Sequence, residues 1–267
     1  MLDLQNTQFL TKEQIREVAP SVFTAKGSNE TSDKYTHIST DRIIDDMALL
    51  GWGVVDAKQV RARKEQGFQK HLLVFRNNEV VINGDDGDTV FPQILLTNSH
   101  DGKNAFSFQA GLFRIVCENG LVISTKDFAK ISIRHMGYDF ETLQETIKGM
   151  VEQLPLTVDS MNKLRETELS QEKALEFAKK ALDVRFGDKT NTNNIQIDLE
   201  DLLTPTRVED KGSDLWSVFN VVQEKLVDGG FNYTYGSKVR KARRIKNFKQ
   251  DMELNSKLFD LALEYVG

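Results

Sequence analysis

The sequence predicts an α+β protein, with a twisted, mainly antiparallel sheet in the N-terminal half covered by a mostly helical C-terminal half. Three observations predict it. Between Val54 and Ile123 apolar residues fall in short runs at strand spacing, broken by Gly, Asn and Asp. Within that region Asn119–Gly120 sits between two apolar runs, which is a strong hairpin signal. After Met136 the spacing changes to that of amphipathic helices. This change divides the chain into a mixed α+β region, residues 1–136, and a helical region, residues 137–267, with the boundary near Gly137. The apolar helix faces must be buried, either on the sheet as one compact domain or on one another.

The elements follow in chain order. Thr11 and Gln14 have the spacing of a capping box, so a short helix starts there and Pro20 closes it. Ala25–Asp33 is rich in Gly, Ser, Asn and Thr and reads as a loop, followed by an extended piece at Tyr35–Ser39. A helix from Thr40 or Asp41 carries Ile43, Ile44, Met47 and Leu50 on one face and ends at Gly51. Val54–Lys64 and Gln69–Arg76 form two strands joined at Glu65–Gly67. In the first strand Gln59, Arg61 and Arg63 share one face, because alternate residues of a strand point the same way. Val80–Ile82 and Phe91–Leu96 extend the sheet around an acidic turn at Gly84–Asp88. Phe140, Leu143, Ile147 and Val151 trace a helix that stops before Pro155, and Leu156–Leu169 forms another. Further helices open at Ser170 and cover Asp198–Leu203, Asp214–Val227 and Asn255–Val266.

The chain is organised around Leu95–Ile123, LLTNSHDGKNAFSFQAGLFRIVCENGLVI. Asn98–Gly102 has the composition of a tight turn, because Asn and Asp bond their own backbone and Gly tolerates positive φ. Ala105–Gln109 and Leu112–Cys117 then supply two apolar runs. The order NSHDG followed by AGLFRIVCENGLVI resembles a widespread family of phage and plasmid proteins described only as a domain of unknown function. The resemblance extends to HLLVFR at His71–Arg76, to Arg134–His135–Met136 and to LWSVFNVVQEKL at Leu215–Leu226. It implies a mobile-element protein and supplies no catalytic residue.

Composition narrows the classes. A chain of 267 residues with net charge −5 is long enough for a substantial core and is not basic overall. No apolar run approaches a membrane span, and MLDLQNTQFLTKEQ lacks the order of a signal peptide. One cysteine, Cys117, allows no internal disulfide, and its apolar neighbours make it a core residue. The address expected is the cytoplasm, that of the host if the protein is phage-encoded.

Candidate chemistry is sparse. His100 and Asp101 share a turn, and with His135 are the parts from which a metal or acid/base site would be built. No helical ligand spacing accompanies them, so the reading is that Asp101 caps the turn and His100 holds backbone. The glycines match neither GxGxxG nor a P-loop. No catalytic residue, metal ligand or cofactor is assigned.

The basic residues carry more. Lys238, Arg240, Lys241, Arg243, Arg244, Lys246 and Lys249 form a run with no acid among them, preceded by Phe231, Tyr233 and Tyr235. Cations beside aromatics suit single-stranded nucleic acid, and Arg61 and Arg63 extend the candidate surface. The alternative is a solvated helix face. Three function classes stand in order: a nucleic-acid-binding protein of phage recombination or replication, an interaction protein that binds a host factor, and a metal-dependent enzyme at His100, Asp101 and His135. The first gains from Thr40–Arg76, whose order of helix, Gly-Trp and basic hairpin is similar to the core of single-strand annealing proteins of the Erf and RecT type. The partner expected is a nucleic-acid strand or a host protein and not a membrane, with a homo-oligomer among the open states.

Overall fold

A computed structural model describes residues 8–31, 35–61, 67–83, 89–104, 106–114, 120–121, 131–133, 139–187, 195–206 and 210–266. The chain divides into two compact units, Met1–Leu154 and Pro155–Gly267. The strand-to-helix change read at Gly137, together with Arg63, Cys117 and His135, lies outside the described residues. Among the described residues no helix is long and apolar enough to cross a membrane.

The first unit opens with α1 (Lys12–Val18), held by the full capping box of Thr11 and Gln14. A 3₁₀ turn at Pro20–Phe23 follows, then α2 (Thr40–Leu49), capped by Ser39. The sheet contains β1 (Gly53–Gln59), β2 (His71–Arg76), β3 (Ile82–Asn83), β4 (Thr89–Asn98), β5 (Phe106–Arg114), β6 (Gly120–Leu121) and β7 (Ile131–Ile133). Its order is β1-β2-β4-β5-β6, with β3 beside β4 and β7 beside β5, and every pairing is antiparallel. The α+β reading is therefore correct, with an antiparallel sheet in the N-terminal half and helices dominating the C-terminal half. All six residues of β2 are buried, which explains its unbroken apolar core LLVF. Leu73, Phe75, Phe91, Leu96, Phe106 and Phe108 are fully buried, and the last two meet edge to face at 5.0 Å.

The second unit opens with the C-terminal part of α3 (Phe140–Glu166), which begins in the first. It continues with α4 (Gln171–Phe186), β8 (Ile195–Gln196), α5 (Leu199–Leu203), α6 (Leu215–Asp228), β9 (Asn232–Tyr235), β10 (Lys238–Lys241) and α7 (Phe248–Leu263). Ser170, Asp198 and Asp214 accept from backbone N–H groups at the starts of α4, α5 and α6, satisfying donors that a helix leaves open. α6 is buried from Leu215 to Gln223 and again at Leu226 and Val227, and α4, α5 and α7 pack on it. Its polar residues are satisfied internally: Asn220 donates to the Trp216 carbonyl at 2.7 Å and Gln223 to Asn255 Oδ1 at 2.6 Å.

Four readings need correction. α3 runs through Pro155 where two helices were expected. A proline removes one hydrogen bond, and the apolar stripes on both sides outweigh that loss. β5 is one strand where two apolar runs were expected, because it pairs with β4 without interruption from Thr97↔Ser107 to Val90↔Arg114. β1 ends at Gln59, short of Arg61, and the Gln59 side chain accepts from the Ser21 N–H at 2.8 Å. The basic run forms a strand, an extended segment and, at Lys249, the start of the last helix, which begins at Phe248, not Asn255.

Candidate functional site

In the second unit, Gly236–Ser237 joins β9 to β10 in a two-residue turn, with Gly236 at φ 60°. Such turns need left-handed backbone, and Gly supplies it without a Cβ penalty. Tyr235 stands opposite Lys238 and Tyr233 opposite Arg240. Directly opposed residues share a face, so two rings and two cations occupy one side of the hairpin. The Arg240 guanidinium carbon lies 5.0 Å from the Tyr235 ring centroid, a cation–π distance. All four residues of β10 are exposed, and β10 is the edge of a small sheet ordered β10-β9-β8.

The base of the hairpin is fixed by backbone. Gly229 and Gly230 turn the chain out of α6 at φ 77° and 93°. Gly230 N–H donates to the Ala242 carbonyl at 3.0 Å, and Ala242 N–H to Phe231 at 2.8 Å. Phe231 and Ala242 are buried there. Phe231 thus packs beneath the hairpin and presents no face to a ligand. Arg185 and Phe186, at the end of α4, complete the arrangement. Phe186 lies 5.5 Å from Tyr233 and 6.4 Å from Phe231. The Arg185 guanidinium sits over Phe186 and Phe231 at 5.4 and 5.8 Å and donates from Nη2 to the Arg243 carbonyl at 2.7 Å. Burial pushes its pKa below the usual arginine value. Together Arg185, Phe186, Tyr233, Arg240, Lys241 and Arg243 line a cleft of about 840 Å³.

The structure therefore brings together Tyr233, Tyr235, Lys238, Arg240, Lys241 and Arg243. Arg244 is engaged by Asp228 at 3.1 Å, and Lys246 is exposed on the segment that follows β10. The Lys249 side chain lies outside the described residues. Arg61 is exposed in the other compact unit. Arg185 and Phe186 were missed in the sequence, because a cation in a last helical turn reads as complementing the helix dipole. The hairpin had a usable signal, Gly-Ser between two alternating runs.

The first unit holds a second polar cluster, in which three of the chain's four histidines meet. The His100 ring lies 4.6 Å from His37 and 5.3 Å from His71. His71 is fully buried. Its Nδ1 faces the Gln69 carbonyl at 3.1 Å and Ser21 Oγ at 3.0 Å, so Nδ1 carries the proton. Nε2 then accepts from the Thr40 hydroxyl at 2.9 Å, and Thr40 accepts in turn from Asn98 Nδ2 at 3.0 Å. Burial lowers the His71 pKa to about 4, opposed in part by the Gln69 carbonyl. With both ring nitrogens engaged, His71 ties α2 to β2 and β4. In the turn after β4 the Asp101 side chain bonds its neighbours. Asp101 Oδ1 accepts from Ser99 Oγ at 2.6 Å and from Lys103 N–H at 3.0 Å. The His100 backbone N–H donates to the Phe68 carbonyl at 3.1 Å, and the His100 backbone carbonyl accepts from Ser28 N–H at 2.8 Å. Among the described residues no three His, Cys, Asp or Glu side chains are placed to hold a metal ion.

Comparison with known proteins places the chain in a family. The family described as "Domain of unknown function (DUF932)" matches residues 29–259, and the chain belongs to it. It is 30% identical over 259 residues to "UPF0380 protein YafZ" of Escherichia coli (strain K12), covering 95% of this chain and 90% of that protein. It is similar to the same extent to "UPF0380 protein YfjQ" of the same strain. No solved structure matches it.

Proposed function

We propose that this protein binds a single nucleic-acid strand through the β9–β10 hairpin, as a recombination or replication accessory of a phage or plasmid acting in the host cytoplasm. One observation carries the reading: the register that sets Tyr233 and Tyr235 among Lys238 and Arg240 on one face. Cations spaced along an exposed ribbon neutralise successive phosphates, and rings between them stack on unpaired bases. A duplex hides its base faces, so the same surface favours a single strand.

The two residue types act through different physics, and the test separates them. Each phosphate neutralised on a single strand adds about −0.7 to the slope of log affinity against log salt. Lys238→Ala with Arg240→Ala is expected to weaken binding and flatten that slope by about 1.4. Tyr235→Ala is expected to cost about 1–3 kcal/mol with little change in slope. The measurement is a fluorescence anisotropy titration on single-stranded and duplex DNA at several salt concentrations. Folded protein that binds neither at low salt refutes the reading. A second reading, docking of a host protein's extended segment on β10, then comes first; Val239, 73% exposed on the opposite face of that edge strand, favours it.

A further inference from the structure

We infer that the cleft at the base of the hairpin seats the phosphorylated end of the bound strand. This rests on the strand-binding reading and extends it from the hairpin face to a terminus.

Charge is the first argument. The cleft is lined by four cations, Arg185, Arg240, Lys241 and Arg243, and among the described residues no carboxylate pairs with any of them. Some cations elsewhere are paired, among them Lys12 with Asp41 and Asp45, Arg42 with Asp46, and Arg244 with Asp228. An internal phosphodiester carries a single charge. A terminal phosphate monoester carries between about −1.5 and −2 at neutral pH and presents three acceptor oxygens. Four uncompensated cations in one cleft match the second better than the first.

The state of Arg185 is the second argument. Its guanidinium lies against two rings, is partly buried, and among the described residues makes one hydrogen bond, to the Arg243 carbonyl. A desolvated cation is costly unless an anion compensates it, and guanidinium is the side chain best shaped for phosphate. A phosphate in the cleft supplies that compensation.

The row of rings is the third. Tyr235 and Tyr233 lie along the hairpin face, and Tyr233 is also a wall of the cleft. Behind it Phe186 packs at 5.5 Å, and the next ring, Phe231, is buried. Stacking surface therefore runs into the cleft and stops. The volume, about 840 Å³, lies within the roughly 300–1,000 Å³ range of small-ligand pockets and suits a terminal nucleotide.

The test uses internally labelled oligothymidylate with a 5′-phosphate, a 3′-phosphate, or hydroxyls at both ends, titrated at pH 7.5 and low salt. One phosphorylated end is expected to bind about tenfold tighter than the hydroxyl-ended strand, since charge-assisted hydrogen bonds are the strong ones. Lys241→Ala with Arg243→Ala is expected to narrow that gap to less than about twofold, because two of the four cleft cations are gone. Lys238→Ala, on the hairpin face but outside the cleft, is expected to weaken all three strands alike and leave the gap. Both substituted cleft residues are exposed, so the double variant is expected to fold, which far-UV circular dichroism checks. Equal affinity for all three strands overturns the terminal-phosphate inference and leaves strand binding standing. A gap that survives the double variant also overturns it. Absence of binding to any strand overturns both.

Discussion

Acid is expected to destabilise the first unit through His71. The folded protein holds this imidazole neutral, with its pKa at about 4, while the unfolded chain restores the ordinary value of 6.5. The folded value is the depressed one, so the contribution to stability is complete above pH 6.5. As pH falls below 6.5 the unfolded chain takes up a proton that the folded chain refuses. The loss is about 1.4 kcal/mol per pH unit and continues until the folded group itself protonates near pH 4. Over that window the sum is about 3 kcal/mol, a large share of a typical domain's stability. The comparison protein is His71→Gln, which keeps a hydrogen-bonding end between Thr40 and Ser21 and does not titrate. Trp52 is buried in the first unit and Trp216 in the second. Urea unfolding followed by Trp52 fluorescence in a Trp216→Phe background therefore reports the first unit. The His71 protein should lose about 3 kcal/mol more than His71→Gln between pH 7 and pH 4. His37 and His100, the rings nearest to it in this cluster, are present in both proteins, so their effect cancels in the difference. Parallel stability curves for the two proteins would refute the reasoning, because His71 would then not be the group that resists the proton.

Further predictions concern backbone geometry and the central turn. Gly229→Ala should destabilise the second unit by more than about 3 kcal/mol, because positive φ adds to backbone overlap. Its Cβ would fall 2.6 Å from the Ala242 carbonyl oxygen and 2.8 Å from the Arg243 carbonyl carbon, and neither can yield without moving the cleft. Gly187→Ala, at φ 63° with nothing within 4 Å, should cost only about 1–2 kcal/mol. Urea unfolding read through Trp216 measures both, and equal costs would refute the overlap argument. Asp101→Ala removes the acceptor of Ser99 and Lys103 and should lower the stability of the first unit by about 1–2 kcal/mol, read through Trp52. No measurable loss would show that water replaces the carboxylate there.

The sequence by itself determined what depends on neighbours along the chain. The capping box, the helical stripes and the turn after β4 are local, because a Thr or Asp bonds backbone two or three residues away and a period of 3.6 or 2 reveals which face is buried. The α+β class followed from where one period gives way to the other. The interruptions of that rule had tertiary causes. Pro155 is a local helix breaker, yet α3 continues through it, and β5 reads as two runs but pairs along its whole length with β4.

What the tertiary structure alone decided is which distant residues meet. His37, His71 and His100 are separated by tens of residues and converge because β2, β4 and the segment before α2 come together. Arg185 looks like an ordinary helix-end cation until the turn at Gly229 and Gly230 carries the hairpin back against α4. The basic run was visible as composition. Its strand form, the register that interleaves it with Tyr233 and Tyr235, and the burial of Phe231 depend on pairing and packing across the chain. A residue's type sets the chemistry it can offer, and pairing and burial set whether that chemistry faces a ligand, a neighbour or the core.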